Sequence, residues 1–295
     1  MRKLFLILFS VSIAPVWGLP LDDRDRFYEA LGHRDLGRME NALKHWEKGR
    51  AEDVEVLVAR GVYFHAKAQQ GKSHPLGPPV REEVLLIHPR RWPLNPPKPY
   101  ERLDPKLAQK AGHYWRRAIQ LYPWRLDIYF KLAGLYGELD DFEAQNRVLG
   151  QALLYAEKHR HDLKGENNAD LPHPYGSWAS QALGEFIEGY FAQHRREENV
   201  KAFRLSRLFT TFFPANPYGY NYIAVYFSTQ PDWPYTLKYL MLAYQKDPRD
   251  SLVLDNIGNT LSKLGKKKEA RVFYRKVVSL GQDEELVKLA KDQLD

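Results

Sequence analysis

The sequence predicts an all-α fold, a solenoid of antiparallel helix pairs with one proline-rich insertion, and three observations predict it. Residues 217–250 and 251–284 repeat one pattern: Ala224 and Gly258, Phe227 and Leu261, Leu240 and Tyr274, and Ala243 and Val277 each lie thirty-four positions apart. A helix–turn–helix unit of that length cannot bury its apolar face alone, so copies stack and the period is kept. Elsewhere apolar residues recur at three and four positions, the spacing of an amphipathic helix. Prolines interrupt the pattern mainly in one place, since nine of the nineteen fall between His74 and Pro105.

In chain order, Met1-Arg2-Lys3 precede an apolar run over 4–9, and Pro15, Val16 and Gly18 follow. A positive start, a short apolar run and a cleavage site after Gly18 make 1–18 an export signal. The run is shorter than the roughly 18 residues a spanning helix needs. The mature chain, 19–295, is therefore expected in a periplasm or outside the cell. It has no cysteine, which excludes a lipid-bearing N-terminal cysteine, disulfides and thiolate metal sites. The core alone must hold the fold, and 44% hydrophobic residues supply one. The formal net charge of +7 is spread in mixed sign, with short basic clusters at Arg90-Arg91, Arg195-Arg196 and Lys266-Lys267-Lys268. These read as solvated helix ends where cations complement the C-terminal carbonyls. Nucleic-acid binders concentrate such charge on one face, so no nucleic-acid partner is expected.

Degenerate repeats are expected over 27–70, after a frayed charged lead-in from Asp22 to Arg26. Phe27, Ala30, Leu31 and Met39 mark a first helix, and Ala42, Leu43 and Trp46 a second. A third, within 52–70, carries Val54, Leu57, Val58, Val62 and Phe64 on one stripe, with Gly61 as a packing glycine like Gly258. The insertion, 71–105, follows. Pro96-Pro97-Lys98-Pro99 cannot donate to a helix or sheet and biases its neighbours to extended backbone. The apolar tetrad 84–87 and Trp92 tack this segment onto the helices, and a loop this long is commonly functional, so Trp92 and Tyr100 are candidate binding residues. Repeats resume over 106–159, where Ala111, Trp115 and Ala118 precede Pro123. Tyr129, Leu132, Ala133 and Tyr136 open the next pair, and Asp141 starts its partner helix. A polar loop is expected over 160–177. Repeats then run over 178–284, opening on Trp178, Leu183, Phe186, Gly189 and Tyr190, and 285–295 forms a charged capping helix carrying Leu286, Leu289 and Ala290.

These residues resemble the tetratricopeptide repeat (TPR) family, so the fold expected is a TPR-like α-solenoid. Its pattern of Leu-Gly and Tyr in the first helix, then Ala, an aromatic, Ala and Pro in the second, is met by Ile257-Gly258, Leu261, Ala270, Tyr274 and Val277, with Gly265 at the turn. The preceding copy offers Ile223-Ala224, Phe227, Leu240, Ala243 and Pro248, with Thr236 in place of an alanine. The resemblance implies a superhelix whose inner surface, lined by first helices, binds an extended peptide or partner helix. On this chain the implied inward positions are Phe130, Phe186, Tyr190, Tyr218, Asn221, Val225, Asp255, Asn259 and Lys263. The subgroup that grips a C-terminal carboxylate needs Lys and Arg from consecutive repeats. Here only Asn221, Asn259 and Lys263 match, so that mode is not expected.

Catalysis finds no residues to carry it. There is no metalloprotease helix motif, no nucleophile elbow and no phosphate-binding glycine loop. His159 and His161 diverge on a helix, and His173 joins them only through a folded-back loop, so no metal site and no cofactor is expected. Asp140-Asp141 precedes a helix and reads as capping, and Glu197-Glu198 are adjacent rather than facing. The expected role is an exported, non-enzymatic scaffold for a protein or peptide partner. The competing expectation is a small-ligand or glycan pocket between the insertion and the solenoid, near Trp92 and Tyr100.

Overall fold

The computed structural model describes residues 22–70, 103–159, 162–166, 169–171 and 175–294. The expected export signal, most of the insertion with Trp92 and Tyr100, His161 and His173 lie outside the described residues. Among the described residues thirteen helices form: α1 (Asp23–Gly32), α2 (Leu36–Trp46), α3 (Val54–Ala68), α4 (Pro105–Leu121), α5 (Leu126–Glu138), α6 (Phe142–Lys158), α7 (Tyr175–Phe191), α8 (Arg196–Phe212), α9 (Pro217–Thr229), α10 (Trp233–Lys246), α11 (Ser251–Lys263), α12 (Lys267–Leu280) and α13 (Glu284–Asp292). Among the described residues the fold is all-α. No helix among them is long and apolar enough to cross a membrane.

Where the sequence predicts one stack over 19–295, the chain falls into two compact units, one ending at Asp170 and the other beginning at Leu171. In the first, α1 packs on α2, α3 on α4 and α5 on α6. In the second, α7 packs on α8, α9 on α10 and α11 on α12, and α13 closes against α12. The stretch 71–102 joins the two helices of one pair, and its flanks meet: the Asp104 N–H donates to the Ala68 carbonyl at 3.2 Å.

Acidic and amide caps set most of the boundaries. Asp22, Asp35, Asp53, Asp104, Asp141, Asn216, Asp232, Asp250 and Asp283 each accept a backbone N–H of the helix they precede. Each cap satisfies a donor with no intrahelical partner and stabilises by about 1 kcal/mol. This corrects the frayed lead-in expected over 22–26: the Asp22 carboxylate takes the Asp25 N–H at 2.8 Å, and Asp23 and Asp25 favour the positive helix end. Met39 belongs to the second helix, not the first, because Arg34 turns the chain at φ 55° and Asp35 caps a new start. The basic clusters are also displaced. Arg195-Arg196 and Lys266-Lys267-Lys268 open α8 and α12 instead of closing helices. The acids one turn on answer their unfavourable field: Glu198 pairs with Arg195, and Glu269 lies 3.7 Å from Lys266.

Pairing within the repeats rests on glycines facing aromatic rings. A Cβ on Gly61 would sit 2.1 Å from Trp115 Nε1, and one on Gly258 would sit 2.5 Å from Tyr274 Cε1. Each ring therefore lies directly on the backbone of the facing helix. Trp115 also donates its indole N–H to the Val58 carbonyl at 3.3 Å, which satisfies the one polar atom it buries.

Candidate partner-binding faces

The first helices of the second unit, α7, α9 and α11, are joined by a ladder of polar side chains. Tyr222 on α9 donates its hydroxyl to Glu188 Oε1 on α7 at 2.6 Å. Asn256 on α11 donates to Asn221 Oδ1 on α9 at 2.9 Å. Asn259 donates to Asp255 Oδ2 at 2.7 Å and accepts the Tyr274 hydroxyl from α12 at 3.0 Å. Hydrogen bonds at this depth fix register between helices, because an unmade one leaves a desolvated group. Burial and the charge of Glu188 hold the Tyr222 hydroxyl well above the usual phenol range. Burial, with the Asp255 charge adding to it, pushes Tyr274 up to about 12.

The ladder accounts for several residues predicted to line a groove. Asn221, Val225, Asp255 and Asn259 are buried, as is Tyr190 on α7. In this structure these five side chains lie inside the helix packing, in contrast to the groove-lining position expected for them. Phe130 is also buried, and it sits on α5 of the first unit, apart from the other eight. Three positions keep an accessible surface: Phe186 is half-buried, Tyr218 is 38% exposed and Lys263 is exposed.

Sequence reasoning missed the residues that give this face its chemistry. Glu185 and Glu188 lie one turn apart on α7, both half-buried. Burial and then the charge of Glu188 push the Glu185 carboxyl up to about 7, against a hydrogen bond from Gln181. Tyr218 and Tyr222 place their rings 6.4 Å apart beside them on α9. The available signal was an acid pair spaced by three on a helix, whereas only sequence-adjacent acids had been weighed.

In the first unit, the start of α5 is built around a buried guanidinium. Arg125 reaches both oxygens of Asp127, at 2.9 and 3.0 Å, and pairs with Glu55 at the start of α3. Burial works against the charged guanidinium, but the hydrogen bonds and charges of Asp127 and Glu55 more than offset it and hold Arg125 above the usual arginine range. Burial raises Glu55 despite the opposing charge of Arg125. Within the stretch 160–177, expected as a polar loop, residues 162–166 return to this place. The Lys164 N–H donates to the Trp124 carbonyl at 2.9 Å and its own carbonyl accepts the Leu126 N–H at 3.0 Å. Leu163 is buried, and Glu166 pairs with Lys131 of α5.

Cavities are small. One of about 280 Å³ is lined by Gly176, Ser177, Ser180 and residues 212–216, and one of about 550 Å³ by residues 49–53 and Tyr122. Among the described residues no three His, Cys, Asp or Glu side chains converge on a metal position. His159 caps α6 and stacks on Tyr155 at 4.3 Å.

Against known proteins, residues 253–283 match the tetratricopeptide repeat family model. Over those residues the chain is similar to one tetratricopeptide repeat. That repeat covers most of α11 and all of α12, including Gly258 and Tyr274. Solved structures similar to the chain include MamA 41-end from Desulfovibrio magneticus RS-1, at 13% identity over 60% of this chain and 89% of that one, TM-score 0.36. YrrB, described as a TPR protein with an unusual peptide-binding site, is 11% identical over 63% and 84%, TM-score 0.38. The TPR2AB domain of yeast Sti1 in its pHSP90 complex is 9% identical over 92% and 95%, TM-score 0.33. No curated protein sequence matches the chain.

Proposed function

We propose that the chain is an exported, non-enzymatic adaptor that binds a protein or peptide partner on the first-helix face of its second unit. The observation that carries this reading is the half-buried acid pair Glu185 and Glu188 on α7 together with exposed Tyr218 on α9, whose ring lies 6.4 Å from that of Tyr222, the buried partner of Glu188. Carboxylates next to aromatic faces favour a lysine or arginine side chain, through charge-assisted hydrogen bonds and cation–π attraction together. The polar ladder beneath holds the face rigid, so little ordering entropy is lost on binding.

Crosslinking capture by the mature chain tests this. The comparison is with Tyr218→Ala combined with Glu185→Gln, neither of them a fully buried residue. A discrete partner retained by the wild type and lost by the variant is the expected result. Equal capture by both proteins removes this face from the function.

A further inference from the structure

Charge that is spread along the sequence is gathered by the fold. In the second unit, α8, α10 and α12 carry eleven lysines and arginines against three glutamates, whereas α7, α9 and α11 carry one lysine against three acids. Helix periodicity turns those cations outward. On α12 Ala270, Tyr274 and Val277 are buried, and Lys268, Arg271, Val272 and Arg275 are exposed on the other side. On α8 Ala202, Leu205 and Phe209 are buried while Val200 and Arg207 are exposed. On α10 Leu240 and Ala243 are buried while Tyr235 and Lys238 are exposed. Aromatic rings link the three helices. Phe227 of α9 meets Phe203 of α8 at 5.9 Å and stacks on Tyr235 of α10 at 5.1 Å. Tyr244 of α10 meets Phe273 of α12 at 5.8 Å and accepts a hydrogen bond from Lys276 at 2.7 Å.

Two properties set this face apart from an ordinary solvated one. Among the described residues Lys268, Arg271 and Arg275 pair with no acid, so their field is not cancelled locally. Apolar and aromatic groups stand among the cations: Val200 is 40% exposed, and Tyr235 and Val272 are each 49% exposed. Lys238 lies 5.5 Å over the Tyr235 ring, and Lys276 lies 5.1 Å over that of Phe273. Cations interleaved with exposed apolar groups suit the headgroup layer of an anionic bilayer, which attracts the charge and takes up the apolar groups beneath it. A nucleic-acid duplex offers phosphates alone to such a face and leaves Val200 and Val272 without a partner.

We propose that the second-helix face of the second unit, formed by α8, α10 and α12, docks on an anionic lipid bilayer surface. The attraction weakens as salt rises, because it acts between exposed charges. Glu185 and Tyr218 belong to first helices and take no part, so this inference and the adaptor reading fail separately.

The test uses the full chain with vesicles of phosphatidylglycerol and phosphatidylcholine in equal parts, and with vesicles of phosphatidylcholine alone. Cosedimentation gives a partition coefficient on each, and their ratio cancels what the apolar run 4–9 contributes to both. Combining Lys268→Gln, Arg271→Gln and Arg275→Gln is expected to lower that ratio about tenfold or more. Combining Lys48→Gln, Lys106→Gln and Lys110→Gln removes the same charge from exposed positions of the first unit. There the ratio is expected to change less than about twofold, since charges away from the surface are screened. Val272→Ser keeps the charge and is expected to weaken binding to the anionic vesicles about threefold or more. All seven positions are exposed, so each variant is expected to keep the helical circular dichroism of the wild type. Equal loss in the two charge variants overturns the proposal, because net charge and not this face then governs binding. So does a Val272→Ser chain that binds the vesicles like wild type. A wild type that binds a DNA duplex but shows no preference for anionic over neutral vesicles also overturns it, and gives the face to nucleic acid.

Discussion

Replacing Gly258 with alanine gives a sharp measure of the contact on which the repeat is built. The added methyl group lands 2.5, 2.8 and 2.9 Å from Cε1, Cδ1 and Cζ of Tyr274, whereas carbon atoms rest about 3.5–4.0 Å apart. The ring must retreat by about 1 Å, and it is poorly placed to do so. It is 1% exposed, and its hydroxyl is held by Asn259, which is itself held by Asp255. Overpacking of this kind costs about 1–3 kcal/mol, and the better helix propensity of alanine returns about 1 kcal/mol. The expected net loss is about 0–2 kcal/mol. Gly134 in α5 is the control, since nothing lies within 4 Å of its added Cβ. There alanine keeps only the propensity gain, and stability rises by up to about 1 kcal/mol. Urea unfolding followed by helical circular dichroism reads both. If the two substitutions shift their midpoints in the same direction, the close-contact account of Gly258 is wrong.

Two further substitutions probe buried charge. Arg125→Met leaves Asp127 and Glu55 buried without their cation, and a loss of about 3–5 kcal/mol is expected in the same urea assay. Arg125→Lys recovers only part, because an ammonium cannot fork onto both oxygens of Asp127. A loss below about 1 kcal/mol for Arg125→Met would falsify the clasp. Glu185 gives a pH dependence. Its carboxyl, raised to about 7 in the fold, keeps its proton where the unfolded chain has released it. Its stabilising contribution is therefore complete below the ordinary carboxylate range and is lost as pH rises through about 7. Glu185→Gln should match the wild type near pH 4 and exceed it at pH 8, and parallel urea midpoints across that range refute the assignment.

The helix stack was legible because its signals are local. Trp115 with alanines on either side, the Ala270–Tyr274 spacing and Gly265 at a turn each follow from helix periodicity or from a φ of 77° that favours glycine. The caps are equally local: Asp22 sets the start of α1 four residues before the apolar pattern begins at Phe27, and Asp35 assigns Met39 to α2. The candidate faces were less legible, since they depend on which side of a first helix packs inward. Family positions point to Asn221, Asp255 and Asn259, and all three are buried, Asn221 and Asn259 hydrogen-bonded to neighbouring helices and Asp255 to Asn259 within α11. Glu185 and Glu188 acquire their chemistry only when Tyr222 arrives from another helix. Nothing in residues 160–177 as a string of polar residues signals that Lys164 pairs with the start of α5, because that pairing is made of backbone atoms common to every residue.

The hydrogen bond between Ala68 and Asp104 has a consequence for how this chain can vary. The polypeptide leaves one helix and re-enters the next across a single backbone contact, so the stretch strung between these points closes a ring whose ends the helix pair already holds together. Doubling such a stretch adds only about 0.6 kcal/mol of closure entropy. Position 71–102 is therefore a socket. Recombination, or an engineer, can exchange what is carried there for sequences of quite different length while Trp115 stays seated on Gly61. Length variation among descendants of this fold should concentrate at that socket and spare the turn at Gly265, where two helices are joined with no slack.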